Sequence, residues 1–255
     1  MMHNVVKWSV GLGMAAFAAT GLVGCGGGGG TMLGDDPTSL FVNASPDSDT
    51  LDFWLNETLF GDALTYLETT PDFVSFEFIS DDDGAYDVII SDPNTGFEYD
   101  SQNRVFPRDT HSIVLSIGLK NFVAGEEIKR LQHTILIIDR VAPLGNKARL
   151  YILHGFIREV GKQTPAISFQ NPGDNPQYRA AGIEFAGASL LTVDSGTMDW
   201  VARRDDAGPD TIYASITQTV DPGGVYLVLV SGIENDPDSA KLPKITFIQL
   251  SNVDP

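Results

Sequence analysis

The chain has 255 residues, with one cysteine and 34 acidic against 16 basic side chains, for a formal net charge of −18. That balance disfavours nucleic acid and anionic lipid surfaces as partners, because holding phosphates needs clustered cations. One cysteine excludes an intramolecular disulfide, and the length allows one large or two ordinary domains.

At the start, Lys7 and the amino terminus make a short positive region, and Trp8 to Val23 is uncharged and mostly apolar. This is the pattern of a signal segment. It runs into Leu22-Val23-Gly24-Cys25, which resembles the lipobox of bacterial lipoproteins. The resemblance implies cleavage before Cys25, a diacylglycerol on its thiol and acylation of the new amino group. Gly26, in place of Asp, implies the outer membrane. Two or more acyl chains, at roughly 0.8 kcal/mol per buried methylene, anchor a protein stably. A spanning helix needs about 20 apolar residues, a length reached here only through Gly24 and Gly26 to Gly30, which are poor helix formers. Residues 1–24 are therefore expected to be a signal peptide. Residues 25–38 are expected to be a lipidated, glycine-rich tether, with the folded part starting near Ser39.

Beyond the tether, short alternating apolar runs dominate. Val74, Phe76 and Phe78 form one, and Tyr86, Val88 and Ile90 another. Ile113, Leu115 and Ile117 follow, then Ile212, Ala214 and Ile216. A period of two is the strand signature. Ile135 to Ile138 and Val225 to Val230 read as strands buried on both faces. Ala63 to Glu68 and Glu126 to Gln132 are the best helical candidates. Clusters such as Asp92-Pro93-Asn94-Thr95-Gly96 separate the runs, and many short strands with turn signals predict a β-sandwich.

The chain also repeats itself at a spacing of about 110 residues. Leu40 to Ser45 parallels Leu150 to Gly155, and Asp83 to Ile89 parallels Ser195 to Val201. His111 to Gly118 parallels Val225 to Gly232, and His133 to Leu136 parallels Ile245 to Ile248. Two tandem sandwich domains are expected, over 39–142 and 148–253.

The opening of the first copy, Val42-Asn43-Ala44-Ser45-Pro46-Asp47-Ser48-Asp49-Thr50-Leu51-Asp52-Phe53, resembles the hallmark of the family called domain of unknown function 4397. That hallmark is a strand, an Asn/His-Ala-Ser-Pro-Asp turn and a short second strand. The second copy lacks the Ser-Pro-Asp sequence. The resemblance implies an exported protein, often with tandem domains, and an immunoglobulin-like sandwich; it carries no catalytic residue. Physically, Ser45-Pro46-Asp47 reads as a tight turn whose oxygens bond backbone N–H groups.

No Gly-x-Ser-x-Gly elbow, His-Glu-x-x-His or paired Cys-x-x-Cys motif is present. His111, His133 and His154 sit at strand ends, where packing and hydrogen bonding are the expected roles, and no catalytic residue is assigned. Two acidic loops are calcium candidates, through Asp81 and Asp83 in one and Asp92 and Asn94 in the other. Calcium needs six to eight converging oxygens, whereas a solvated turn uses the same residue types for its backbone. Phe53 and Trp54 are adjacent in a strand and must face opposite sides, so one is a candidate binding aromatic. Trp200 is expected in the core.

The expected protein is a non-catalytic module on the cell envelope, held to the membrane by its lipid and contacting an envelope protein or glycan, with no cofactor. A calcium-dependent adhesion module and an enzyme with an unrecognised site are the alternatives.

Overall fold

The computed structural model describes residues 34–79, 85–159, 162–205 and 211–252, all within one compact unit, Gly34–Pro255. The signal segment, Cys25, Asp81 and Asp83 lie outside the described residues.

The chain is all-β. Its first half contains β1 (Thr38–Asn43), β2 (Thr50–Leu55), β3 (Thr58–Thr65), β4 (Val74–Ser75), β5 (Ala85–Ser91), β6 (Glu98–Val105), β7 (His111–Ile117) and β8 (Gln132–Ile138). Its second half contains β9 (Lys147–Ile157), β10 (Ile167–Gln170), β11 (Arg179–Ile183), β12 (Ala188–Asp194), β13 (Gly196–Arg204), β14 (Ile212–Val220), β15 (Val225–Ile233) and β16 (Lys244–Leu250). Each half forms two four-stranded sheets. The orders are β3-β2-β5-β6 and β4-β1-β7-β8 in the first, β11-β10-β13-β14 and β12-β9-β15-β16 in the second. Among the described residues, each half also pairs two named strands in parallel at the same place, β1 with β7 and β9 with β15. These are two tandem β-sandwiches of the same topology.

The register corrects one pairing read from the sequence. Leu115 pairs with Thr134 as Leu229 pairs with Thr246, so β7 matches β15 and β8 matches β16 as expected. In the parallel pairs, however, Leu40 lies opposite Ile113 and Tyr151 lies opposite Leu227. The equivalent of Leu40 is therefore Tyr151, one residue beyond Leu150. In a strand a slip of one residue moves every side chain to the other face, and Leu150 indeed packs on the opposite side from Leu40.

Three cores explain why the two sandwiches make a single unit. Phe41, Phe53, Val88, Ile90 and Phe106 fill the first, and Phe156, Phe169, Trp200, Ala202 and Val228 the second. Between the inner sheets lies a third, where Leu40, Val42, Ile113 and Leu115 meet Tyr151, Leu153, Leu227 and Leu229. Equivalent faces of the two copies bury one another there. That is the self-complementary arrangement of a two-fold dimer, fused into one chain.

A central strand of an inner sheet thus buries both faces and reads as an unbroken apolar run, as Val225 to Val230 do. Ile135 to Ile138 do not: β8 is an edge strand, and Ile137 is 56% exposed. The first helical expectation also fails. Ala63 to Thr65 end β3, and Leu67 turns the chain at a φ of 69°. Helix propensity is a weak prior, and here pairing to β2 and burial of Leu64 override it. The second candidate shrinks to a 3-10 turn, Glu127–Lys129. The tether, expected to run to Thr38, already bonds to the body at Gly34. Arg108 Nη1 donates to Gly34 O at 2.9 Å, the Phe76 amide donates to Pro37 O at 3.2 Å, and Thr38 opens β1.

Matched glycines close both copies. Gly118 and Gly232 sit at φ of 97° and 118°, and an added Cβ would lie 2.3 Å from Arg130 O and 2.5 Å from Leu242 O respectively. Only glycine fits such a close backbone approach at positive φ.

Candidate functional site

The three histidines among the described residues, and Asp92, are engaged within the fold. His111 Nδ1 lies 2.7 Å from Thr38 Oγ1 across the parallel pair. His133 is buried, with Nδ1 2.7 Å from Asp100 Oδ2, and its Nε2 accepts from Arg104 Nε at 3.0 Å. His154 is wholly buried in β9, its Nδ1 2.9 Å from Ile183 O. A carbonyl only accepts, so Nδ1 carries the proton. Burial pushes the His154 pKa down to about 4, against the backbone hydrogen bonds that favour its charged form.

The Asp92 loop is a closed turn. Asp92 Oδ1 accepts from the Asn94 and Thr95 amides, and Oδ2 from Tyr99 Oη and Lys120 Nζ, both at 3.0 Å. The Lys120 ammonium holds the Asp92 carboxyl well below the usual range. Asp92 thus bonds the Asn94 and Thr95 amides of its own turn and ties that turn to Lys120. Among the described residues, no three His, Cys, Asp or Glu side chains gather into a metal-binding group.

Ser45-Pro46-Asp47 is the turn the sequence predicts, and its oxygens reach further than local backbone. Asp47 accepts the amides of Lys120 and Asn121 at 2.7 and 2.9 Å, and Ser45 Oγ donates to Gly118 O. Pro46 is buried. The motif locks the β1–β2 turn onto the loop after β7.

The solvent-facing side of the first outer sheet is different. Phe53 is fully buried and Trp54 is partly exposed, on opposite faces as their adjacency requires. Trp200 is in the second core. Trp54 lies between Leu59 of β3 and Ile89 of β5, with Ser101 of β6 beyond Ile89. These four make a row across the sheet. Beside it is a depression of about 240 Å³, lined by Trp54, Asn56, Ile89, Ser91, Gly96 and Glu98. Trp54 Nε1 donates to Ser91 Oγ at 3.0 Å, and Asn56 Oδ1 accepts the Asp87 amide. The indole N–H is thus satisfied and the ring held, while the polar rim keeps unused capacity. Trp54 was visible in the sequence as half of an aromatic pair. Asn56, Glu98 and Ile89 were not, since only strand pairing and the β5–β6 turn bring them to it.

No family model and no curated protein matches the chain. Among solved structures, it is similar to a family 26 carbohydrate-binding module from Eubacterium rectale in complex with maltoheptaose. The identity is 9% and the TM-score 0.25, over 84% of this chain and 97% of that one. A candidate cell adhesion protein from Bacteroides ovatus matches at 10% identity and a TM-score of 0.24, over 86% of this chain and 98% of that one. Likenesses this slight carry no argument about function.

Proposed function

We propose that the protein is a non-catalytic binding module of the bacterial cell envelope, lipid-anchored through Cys25, which reads its partner on the outer face of the first sandwich. The observation that carries this is the row Leu59–Trp54–Ile89, an apolar and aromatic strip on a sheet face that otherwise meets water. Exposed apolar groups with polar rims mark interaction surfaces. Supporting it, His111, His133, His154 and Asp92 are all engaged in internal bonds. The immunoglobulin-like assignment of the two sandwiches belongs to the same proposal, as does membership of the domain-of-unknown-function 4397 family. In their favour, the Asn/His position of the family's turn is filled in both copies once the register is corrected, by Asn43 and His154.

The test is retention of detergent-solubilised full-length protein on washed envelope fragments, compared with Trp54→Ala. Loss of retention in the variant, with an unchanged melting curve, is expected. Equal retention of the two proteins rules the face out.

A further inference from the structure

The Trp54 depression has properties that narrow its ligand. It is lined by Trp54 and Ile89 together with Asn56, Ser91 and Glu98. Asn56 uses its Oδ1 on the Asp87 amide, leaving the two Nδ2 hydrogens as donors. Ser91 Oγ accepts from the indole and keeps its own hydrogen to give. Glu98 is exposed at the first position of β6, and its carboxylate has no hydrogen bond or ion pair among the described residues. Spare donors and a spare acceptor thus line the depression beside an indole and an isoleucine side chain.

Resting on the reading that this face binds, we infer that the depression takes one ring of a neutral saccharide, its C–H face stacked on Trp54 and its hydroxyls on Asn56, Ser91 and Glu98. A pyranose presents an apolar face and hydroxyls that both donate and accept, which is the complement of this lining. The Glu98 carboxylate and a net charge of −18 repel phosphates, uronates and other anions. A protein interface takes about 20–30 residues a side, whereas Trp54, Asn56, Ile89, Ser91, Gly96 and Glu98 line this depression.

The site belongs to one copy only. In the second sandwich Gln170 pairs with Val201 as Trp54 pairs with Ile89, and Gln170 is buried. Where the first copy has an aromatic platform, the second has an amide.

Calorimetric titration of the full-length protein in detergent with cellotetraose and chitotetraose tests this. Binding of at least one is expected, with a shift in tryptophan emission, since Trp200 is fully buried and cannot report it. Trp54→Ala weakens that binding by about tenfold or more, Asn56→Ala and Glu98→Ala weaken it severalfold, and Gln170→Ala leaves it unchanged. Binding that survives Trp54→Ala overturns the inference. If neither sugar binds while Trp54→Ala still abolishes retention on envelope fragments, the saccharide falls and the binding face stands. If neither sugar binds and retention is also unaffected, both fall. Protease treatment of the fragments that abolishes retention identifies a protein partner and likewise overturns the saccharide.

Discussion

Asn43 and His154 occupy the same position in the two sandwiches and make the same bond. Asn43 Nδ2 donates to Leu64 O at 2.8 Å, and His154 Nδ1 to Ile183 O at 2.9 Å. The two carbonyls are themselves equivalent, since Leu51 pairs with Leu64 as Ile167 pairs with Ile183. The surroundings differ. Asn43 Oδ1 accepts from the Ser45 amide, Ser48 Oγ and Ser116 Oγ, whereas Val230 stands at the place of Ser116. His154 Nε2 accordingly has no partner among the described residues. The second copy has exchanged a polar turn for an apolar one around the same anchoring bond.

This exchange makes the second sandwich acid-sensitive. The pKa of His154 falls to about 4 in the folded protein from 6.5, so the unfolded chain binds the proton more tightly. Stability is complete above pH 6.5, declines as pH falls from there, and the contribution is lost below about 4. The window is worth on the order of 3 kcal/mol. Urea unfolding at pH 7 and pH 4.5 should show a smaller acid loss in His154→Gln than in the unsubstituted protein. An equal loss in both assigns the acid sensitivity elsewhere.

Ala63 adopts a φ of 47°, and its counterpart Gly182 a φ of 66°. That conformation is costly for the alanine in the first copy, offset by the hydrogen bond from its amide to Asp52 Oδ1 at 2.8 Å. Ala63→Gly is expected to raise stability by about 0.5–1 kcal/mol, because relief of the Cβ clash exceeds the added chain entropy. Thermal melts of the two proteins measure it.

The third core predicts one cooperative transition. Leu115→Ala or Leu229→Ala, both in the layer between the inner sheets, should cost about 2–5 kcal/mol and shift the whole unfolding curve. In a Trp54→Phe background the emission of Trp200, which lies in the second sandwich, should follow the same midpoint as far-ultraviolet circular dichroism. Separate midpoints would show the sandwiches to be independent.

Lys120 Nζ lies 3.0 Å from Asp92 Oδ2. Calcium is expected to leave the melting temperature where a chelator leaves it. Lys120→Met is expected to lower it, because the Asp92 carboxylate then faces Tyr99 without its ammonium. A calcium-dependent rise in the unsubstituted protein contradicts this assignment.

The anchor is tested by intact mass spectrometry of the protein from native membranes. A chain beginning at Cys25 and carrying diacylglycerol is expected. Residues ahead of the cysteine, or a free thiol, dispose of the lipoprotein reading.

The sequence by itself determined the all-β class, the duplication and the opposed faces of Phe53 and Trp54, because each rests on local periodicity or on self-similarity. It also marked Ser45-Pro46-Asp47 as a turn, though not that Asp47 reaches Lys120 and Asn121. Tertiary structure decided the rest. Ala63 to Glu68 has helical composition, yet pairing with β2 settles it as strand and turn. The apolar runs of β8 and β15 look alike, and only position in the sheet leaves one at an edge and buries the other on both faces. The alignment of the first strands was off by one residue, an error invisible where both faces of a strand are apolar. Side chains from β2, β5 and the turns beside them meet around Trp54 because strand pairing joins segments far apart in the chain, and no local pattern encodes which segments will pair.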